Sequence, residues 1–224
     1  MLDACVQTIA RNAEDYLYPC LSKVAPYVKR VRLTVDSRST DNTTRVAERL
    51  AREFPNVELG TYHVERPISD LVEMRNSQLG FPEKWGFIVD SDEYHQDVDK
   101  YEFGGEDAYA FRCYALWGRD TIHKSSSKAV IGRVFRNGPD VVWRGRWGKE
   151  SLYRGSEKVF LKVSPVLPFK YIHFTHIKHD PWREELGQER VADGKFLSKT
   201  PPEIIRIVDE IHEKALPFLP IYRV

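Results

Sequence analysis

The sequence predicts an α/β fold, with a mostly parallel central sheet flanked by helices, a smaller antiparallel β portion in the second half and helices at the C-terminus. Three observations support this prediction. β-type and helical hydrophobic patterns alternate through residues 1–100, which is typical of right-handed β-α-β crossovers between parallel strands. Residues 101–180 contain a series of short β-type runs. Residues 181–224 return to helical spacing.

The first half predicts strands joined by helices. Alternating or β-compatible runs indicate strands over residues 2–9, 30–37, 56–64 and 85–90. Apolar residues at helical spacing indicate helices over residues 12–28, 39–54 and 68–81. The second helix begins with the capping residues Ser39 and Asp41 and places Val46 and Leu50 on one face. The carboxyl ends of such strands meet at one edge of the sheet, where these folds bind ligands.

The second half predicts strands or hairpins followed by helices. The β-type runs cover residues 108–117, 128–138, 141–147, 150–163 and 170–178. The helical runs cover residues 181–197 and 201–216. In the last run Ile204, Val208 and Ile211 share one face, which we expect to pack on the core. We expect a main domain over residues 1–180 and a C-terminal helical extension over residues 181–224 that packs on it.

Composition argues against several classes of protein. The 34 basic and 33 acidic residues give a net charge of +1, so no binding to nucleic acid is expected. Cys5, Cys20 and Cys113 form no metal-type pair and indicate a reducing compartment. The first residues lack the pattern of a signal peptide, and no apolar run is long enough to form a transmembrane segment. We therefore expect a cytoplasmic protein.

One strand end, GFIVDSDEY at residues 86–94, carries an excess of negative charge. The apolar run ends in Asp90, Ser91, Asp92 and Glu93. Two carboxylates in an Asp-x-Asp arrangement can face one divalent cation, and Mg²⁺ and Mn²⁺ prefer such oxygen ligands and share them with substrate phosphates. The alternative is a solvated turn. The position after an apolar strand in a β-α repeat favours a metal site. Glu93 has no assigned role, and we interpret it as no more than a solvated neighbour of the site.

A second polar strand end is TVDSRSTDNT, residues 34–43. Asp36 ends the strand and could accept a hydrogen bond from a base or a ribose. Asp41 is interpreted as a structural residue at the N-terminus of the next helix. The chain contains neither GxGxxG nor GxxxxGKS/T, which argues against a dinucleotide-binding fold and against a P-loop enzyme.

Four stretches of the chain carry a resemblance to a known family. They are IARNAEDYLYPCL (9–21), VDSRSTDNT (35–43), EMRNSQLG (73–80) and WGFIVDSDE (85–93). In this order and spacing they resemble the GT-A family 2 glycosyltransferases, especially the small bacterial enzymes that add sugars to lipopolysaccharide cores and cell-wall glycans. The resemblance covers residues 3–95 and becomes faint toward residue 180. Arg38 and Asn42 stand where the family commonly has glycines.

The resemblance implies a nucleotide-sugar site at the strand ends. The residues implied to bind the nucleotide sugar are Ala10, Arg11, Asn12, Asp36, Arg75, Asp90 and Ser91. The base would lie against residues 10–12, with Glu14 behind them, and would hydrogen-bond Asp36. Arg75 would lie near the base or the phosphates, and Asp90 and Ser91 near the ribose. Asp92 would bind a Mn²⁺ or Mg²⁺ ion that bridges the diphosphate.

In the second half the resemblance implies a base and a further metal ligand, and the stacking chemistry of two tryptophans favours an acceptor site. IGRVFRNG resembles a family strand, and Glu150 falls where the family has its base, although Lys149 replaces the usual histidine and Asp140 is a rival. His173 would complete the metal site; its alternative role is a structural hydrogen bond within a sheet. Trp143 and Trp147 would stack on an acceptor sugar, or they are tryptophans at the edge of the core.

The sequence therefore favours a metal-dependent glycosyltransferase that uses a nucleotide-diphosphate sugar, with a UDP-sugar as the first choice, and the resemblance implies an inverting displacement. The acceptor would be a hydroxyl of a glycan, a lipid-linked sugar or a protein. Residues 1–100 would form the nucleotide-binding half and residues 101–180 the acceptor half. Two alternatives stay open. One is a sugar nucleotidyltransferase, which typically needs a glycine-rich loop that TIARNAED lacks; the other is a non-catalytic nucleotide- or glycan-binding module of the same fold.

Overall fold

The computed structural model describes residues 1–118, 121–123, 130–146, 149–160, 165–174, 197–199 and 201–215. The strands are β1 (Leu2–Ala10), β2 (Val28–Asp36), β3 (Val57–Tyr62), β4 (Trp85–Ile88), β5 (Glu93–His95), β6 (Ala108–Gly118), β7 (Thr121–His123), β8 (Val130–Arg136), β9 (Val141–Arg144), β10 (Ser151–Arg154), β11 (Glu157–Lys158), β12 (Val166–His173) and β13 (Leu197–Lys199). The helices are α1 (Leu17–Val24), α2 (Thr43–Glu53), α3 (Pro67–Ser77) and α4 (Pro202–Ala215). Short 3₁₀ turns cover Ala25–Tyr27 and Val98–Lys100.

Ten of these strands form one curled sheet. Its main order is β13-β7-β6-β8-β4-β1-β2-β3, with β12 beside β6 and β5 beside β12. β1 to β4 are parallel, whereas β8 runs antiparallel to both β4 and β6. β9, β10 and β11 form a separate antiparallel sheet. The predicted fold class, α/β with a mostly parallel main sheet and a smaller antiparallel portion, is confirmed.

The side chains of β1, a central strand of the large sheet, alternate between two hydrophobic clusters, one on each face of the sheet. Ala4 and Val6 of β1 pack with the apolar faces of α1 and α2. Cys5, between them, packs on the opposite face with Val72 of α3. A strand buried on both faces is mostly apolar, and the two buried polar residues of β1, Gln7 and Thr8, donate hydrogen bonds to backbone carbonyls. This is why β1 is predicted from a nearly continuous β-type run and not from a strict alternation.

The last helix packs as its pattern predicts. Ile204, Val208 and Ile211 of α4 lie in one buried cluster with Cys20 of α1 and Phe174, which follows β12. The expected domain boundary at residue 180 stays a prediction. Among the described helices, none combines the length and the apolar composition that crossing a membrane requires.

Several element bounds differ from the prediction. The first helix is shorter than residues 12–28, because Asn12 adopts a left-handed backbone conformation (φ 45°) and helical structure starts only at Leu17. α2 begins at Thr43, later than the predicted start at residue 39. Asp41 lies just before the helix and accepts a hydrogen bond from the backbone N–H of Thr43 at 3.0 Å, in keeping with its interpretation as a structural residue. β5, β7 and β13 are not predicted, because three residues are too few to show a period. The helix predicted over residues 181–197 lies outside the described residues, except that Leu197 begins β13.

Gly86 in β4 is required by the close approach of Phe135 on the paired strand β8. A Cβ atom at residue 86 would overlap the Phe135 ring, and Phe135 is fully buried. We expect Gly86→Ala to lower the free energy of unfolding by about 1–3 kcal/mol through overpacking, measured by urea denaturation. Gly105→Ala is the matched control, because nothing lies within 4 Å of a Cβ built there. Equal stability of the two variants would contradict the close approach.

Candidate active site

Three neighbouring parallel strands bring polar residues together at one edge of the large sheet. β1 leads into Arg11, β2 ends at Asp36, and β4 leads through Val89 to Asp90. β1 lies between β2 and β4, so the chain reverses its direction across the sheet at this point. Open α/β sheets bind ligands in the crevice outside the carboxyl ends of the strands at such a reversal. The topology therefore places the predicted donor-site residues of the three strand ends around one crevice.

Asp36 is fully buried between two arginines. One carboxylate oxygen accepts a hydrogen bond from the backbone N–H of Arg38 at 3.0 Å. The other oxygen accepts one from the Arg38 guanidinium at 3.2 Å and lies 3.6 Å from Nε of Arg11. A nucleotide base can reach this carboxylate only where the Arg38 guanidinium gives way. The role of Asp36 in base binding stays a prediction. Arg38, which stands where the resemblance has a glycine, occupies one of the Asp36 oxygens.

The loop after β1 is joined to the loop after β2 by hydrogen bonds. Asn12 tolerates its left-handed conformation, and its side-chain oxygen accepts the backbone N–H of Thr40 at 2.9 Å. A carboxylate oxygen of Glu14 accepts both the backbone N–H of Asn42 at 2.8 Å and its side-chain amide at 2.7 Å. Asn42, which also replaces a family glycine, therefore locks the two loops together. Ala10, the last residue of β1, is fully buried, so its predicted contact with the nucleotide stays a prediction.

The acidic turn after β4 is closed by hydrogen bonds between its first and last residues. The backbone N–H of Glu93 donates to the carbonyl of Asp90 at 3.0 Å, and the N–H of Asp90 donates to the Glu93 carboxylate at 3.2 Å. Ser91 and Asp92 lie in the turn and are only 4% and 8% exposed. The acidic stretch is a buried turn and not a solvated one.

His173 lies beside Asp92, as the predicted metal site requires. β12 pairs with β5 so that His173 is opposite Glu93, and the N–H of Phe174 donates to the carbonyl of Asp92 at 3.0 Å. Nε2 of His173 is 3.6 Å from Oδ1 of Asp92. Burial opposes a positive charge on His173, but the Asp92 carboxylate, together with Cys113 and Glu93, raises the pKa of the histidine well above its ordinary value. Without a metal the two side chains form an ion pair.

Glu93 is not a solvated neighbour, which corrects the interpretation of the sequence. Its side chain is fully buried and makes a bidentate ion pair with Arg133 of β8, in which Nε of Arg133 donates at 3.0 Å. Burial acts to raise the pKa of Glu93, but the Arg133 charge, helped by His95 and His173, holds it at about 2. Arg133 also donates to Asp90 at 3.3 Å. The pair is therefore a structural support beneath the turn.

The residues of this corner are a chemically suitable set for a divalent cation. One ligand atom from each of Asp90, Glu93 and His173 lies within 4.8 Å of the other two. Oxygen ligands with one imidazole suit Mn²⁺ and are compatible with Mg²⁺. Glu93 is fully buried and bound by Arg133 on both oxygens. Asp90 also accepts hydrogen bonds on both oxygens, from Arg75 and Arg133, but its side chain is partly exposed and lines the cavity described below. Asp90, Asp92 and His173 are therefore better placed than Glu93 to hold the ion. Asp90, which the sequence assigns to the ribose, thus becomes a candidate metal ligand as well.

A cavity of about 270 Å³ opens beside the acidic turn. It lies between α3, β8 and the three-stranded sheet. Its charged or polar lining residues are Arg75, Asp90, Arg133, Glu150, Ser151 and Lys158, and its apolar or aromatic ones include Ile88, Trp143, Leu152 and Phe160. The predicted base therefore shares one cavity with Asp90, although the two residues are far apart in the sequence.

Arg75 connects the acidic turn to Glu150. Its guanidinium donates to Asp90 at 2.9 Å, and its Nε lies 3.7 Å from Oε1 of Glu150. The other carboxylate oxygen of Glu150 is buried and has no hydrogen-bond partner among the described residues. A buried carboxylate oxygen without a donor is costly, and a ligand hydroxyl in the cavity could supply one. The rival Asp140 is about half exposed and faces Arg154 at 3.8 Å, outside the cavity lining.

Trp143 is placed by Asn76, a contact that the sequence does not predict. The Asn76 side chain accepts the backbone N–H of Trp143 at 2.8 Å and donates to its carbonyl at 3.0 Å. These two hydrogen bonds join α3 to β9 and hold in place the cavity wall to which Glu150 belongs. The Trp143 ring is only 7% exposed and faces the Arg75 guanidinium at 5.2 Å, so it packs in the core as well as lining the cavity. Acceptor stacking on Trp143 stays a prediction, and Trp147 lies outside the described residues.

Arg133 and Asn76 are functional candidates that sequence reasoning missed. Each stands inside a quoted motif, Arg133 in IGRVFRNG and Asn76 in EMRNSQLG. A signal for Arg133 existed, because an arginine in an otherwise apolar strand needs a buried acid. Asn76 gives no such signal, since an asparagine near a helix end is ordinary.

We expect Arg133→Met to lower the free energy of unfolding by about 3–5 kcal/mol, because it leaves Glu93 buried without its counter-charge. Urea denaturation in EDTA measures this. Arg136→Met, on the same strand, is the matched control, because Arg136 pairs with the exposed Asp107 and such pairs contribute about 0–1 kcal/mol. Adding Glu93→Gln to Arg133→Met should recover part of the loss. If the two single variants were equally stable, Arg133 would not support the turn.

Comparison with known proteins gives distant structural neighbours only. No model of a known protein family matches the sequence, and neither does any curated protein. TarS (residues 1–349) from S. aureus, in complex with UDP, is similar over 53% of this chain and 37% of its own, at 20% identity and a TM-score of 0.41. The mannosyltransferase PcManGT from Pyrobaculum calidifontis, in complex with GDP-Man and Mn²⁺, is similar over 52% of this chain and 36% of its own, at 15% identity and a TM-score of 0.38.

A third neighbour belongs to a different enzyme class. The nucleoside-diphosphate-sugar pyrophosphorylase from Vibrio cholerae RC9 is similar over 61% of this chain and 67% of its own, at 11% identity and a TM-score of 0.37. The chain spans little more than a third of the length of the first two neighbours. At these TM-scores the likeness supports no inference about function, which is argued below from the site's own residues.

Proposed function

We propose that this protein is a metal-dependent glycosyltransferase of the GT-A type that transfers a sugar from a nucleotide-diphosphate sugar to a hydroxyl acceptor. The single observation that carries the proposal is the shared cavity: Asp90, one residue of the metal-suited corner at the end of β4, and Glu150, which has a buried carboxylate oxygen, line one space. Glycosyl transfer needs both features together, because one stabilises the leaving diphosphate and the other takes a proton from the acceptor.

The donor would bind along the ends of β1, β2 and β4. In this proposal the base lies over Arg11, Asn12 and Asp36, and the diphosphate lies toward the acidic turn. Asp90, Asp92 and His173 would hold a Mn²⁺ or Mg²⁺ ion, which would supply positive charge to stabilise the leaving diphosphate. Arg75 and Arg133 each donate a hydrogen bond to one oxygen of Asp90 and so orient that carboxylate. A UDP-sugar is our first choice of donor.

Glu150 would act as the general base. Its oxygen without a donor is positioned to accept a hydrogen bond from an acceptor hydroxyl, and Arg75 holds the carboxylate through the other oxygen. As the hydroxyl attacks the sugar, Glu150 accepts its proton, a contribution of roughly 10²–10⁴-fold in comparable enzymes. A direct displacement of this kind inverts the configuration at the sugar carbon. Trp143 at the cavity wall would contact the acceptor sugar.

The test is a thermal-shift screen of UDP-sugars, GDP-mannose and dTDP-sugars, each with Mn²⁺ and with EDTA. Ligands that bind only the folded state raise the melting temperature by mass action. Because donor binding is proposed to need the metal, the donor should raise the melting temperature with Mn²⁺ and not with EDTA. Released nucleoside diphosphate then measures transfer. A shift with nucleoside triphosphates and sugar 1-phosphates instead would indicate a sugar nucleotidyltransferase. Donor binding without nucleotide release over a broad acceptor panel would indicate a non-catalytic module.

A further inference from the structure

Asp36 and Arg38 place a hydrogen-bond acceptor beside a hydrogen-bond donor at the carboxyl end of β2. The Arg38 guanidinium donates to Oδ2 of Asp36 at 3.2 Å, and the Arg38 backbone N–H donates to Oδ1 at 3.0 Å. The backbone bond holds Oδ1 wherever the Arg38 side chain lies. Oδ2, which is bound by a side chain, is therefore the oxygen that a ligand can share.

Arg38 lies on the solvent side of this carboxylate. Its side chain is 25% exposed, against 10% for the side chain of Arg11, the other arginine that faces Asp36. Nε of Arg11 lies 3.6 Å from the same oxygen and keeps a positive charge beside the buried Asp36 when Arg38 moves outward. The Arg38 guanidinium can thus leave Oδ2 without leaving a buried charge uncompensated.

The chemistry of the two side chains defines the ligand that fits between them. An ionised carboxylate only accepts hydrogen bonds, so the group that replaces the guanidinium on Oδ2 has to be a donor such as an N–H. A guanidinium only donates, so after a short outward shift it binds an oxygen next to that N–H. An N–H beside a C=O is a lactam edge. Uracil and thymine present one at N3 and O4, and guanine presents one at N1 and O6, whereas cytosine and adenine carry an amino group in place of that oxygen.

We propose that Arg38 determines base specificity: together with Asp36 it binds the lactam edge of uracil, thymine or guanine and rejects cytosine and adenine. This role rests on the proposed function, because it takes the ends of β1 and β2 to be the base side of the donor site. The sequence predicts only the Asp36 contact, since Arg38 stands where the resemblance has a glycine, which offers no side-chain donor. In the rejected bases a ring nitrogen would face the carboxylate and an amino group would face the guanidinium, so both contacts are repulsive.

Isothermal titration of the full chain with UDP, CDP, GDP and ADP in Mn²⁺ tests the role of Arg38. UDP and CDP have the same ribose, diphosphate and ring size and differ at the lactam edge, and GDP and ADP extend the comparison to purines. Because the metal acts on the shared diphosphate, the ratio of the two dissociation constants reports the contacts of the base. We expect UDP to bind about 10–100-fold more tightly than CDP, and GDP more tightly than ADP, because a charged group left without its hydrogen bond is costly.

Arg38→Met should lower the preference for UDP over CDP by about tenfold, mainly through weaker binding of UDP, because methionine cannot donate to the base oxygen. Arg38→Lys keeps a charged donor and should recover part of the preference, which a general distortion of the loop would not allow. The matched control is Arg45→Met, since Arg45 is an exposed arginine in the first turn of α2. This control should keep the preference of the parent.

Equal binding of UDP and CDP to the parent would overturn the role of Arg38, and so would an unchanged preference in Arg38→Met. Either result would leave glycosyl transfer to be decided by nucleotide release from the donor. Binding of none of the four nucleotides would remove the nucleotide site and overturn both proposals. The expected preference without any nucleotide release would support the role of Arg38 and refute only the transfer reaction.

Discussion

Asp92→Ala is expected to lower Mn²⁺-dependent turnover of the donor by about 100-fold or more. Even residues that only contact metal ligands cost about 10–100-fold when they are changed, and Asp92 is proposed to bind the metal itself. The substitution should leave the turn folded, because the backbone carbonyl of residue 92, which accepts the N–H of Phe174, is retained. The variant should also lose the Mn²⁺-dependent part of the thermal shift produced by the donor.

Asp99→Ala is the matched control for this prediction. Asp99 is an exposed aspartate in the 3₁₀ turn that follows β5, in the same region of the chain. Nucleotide release and the thermal shift should stay within a factor of two of the parent in this variant, an approximate margin typical of a neutral surface change. Full metal-dependent activity of Asp92→Ala would make the assignment of Asp92 wrong.

Glu150→Gln is expected to lower kcat by roughly 10²–10⁴-fold while the donor still binds, because an amide cannot accept the proton of the acceptor hydroxyl. Glutamine keeps the size of the side chain and an oxygen that can face Arg75. The measurements are nucleotide release with saturating acceptor and the donor-induced thermal shift. An equal loss in kcat and in kcat/KM would indicate an interaction made only in the transition state.

Glu157→Gln supplies the comparison for this substitution. Glu157 is exposed on β11, in the small sheet whose strand β10 directly follows Glu150, and it does not line the cavity. It should retain the activity of the parent. Loss of donor binding together with turnover in Glu150→Gln would instead indicate that Glu150 acts through Arg75, since the two side chains are paired.

The convergence at the strand ends was accessible from the sequence because it depends only on local pattern and on topology. Hydrophobic periodicity predicts β1, β2, α2 and β4, and parallel β-α-β units have one allowed handedness. Because β1, β2 and β4 are parallel, Arg11, Asp36 and Asp90 must lie at the same edge of the sheet. The short strand β5 was missed because its three residues carry too little pattern.

The second half was harder to predict because its contacts join residues that are distant in the chain. Glu93 looks like a solvated carboxylate in the sequence, yet Arg133 of β8 neutralises it in the core. Asn76 holds Trp143 through two backbone hydrogen bonds across 67 positions of sequence. Neither contact follows from spacing, because side-chain pairing between distant elements depends on how the sheets are brought together.

By itself the sequence determined the alternation of elements, the apolar strands and the carboxylates at the strand tip, because periodicity and turn chemistry act over a few neighbouring residues. Tertiary structure alone decided which carboxylates are neutralised by arginines, which one faces a cavity, and that Lys158 shares that cavity. The physical reason is that burial and charge pairing depend on the three-dimensional neighbours of a side chain. Those neighbours here come from β8, α3 and the small sheet, all far from the acidic turn in sequence.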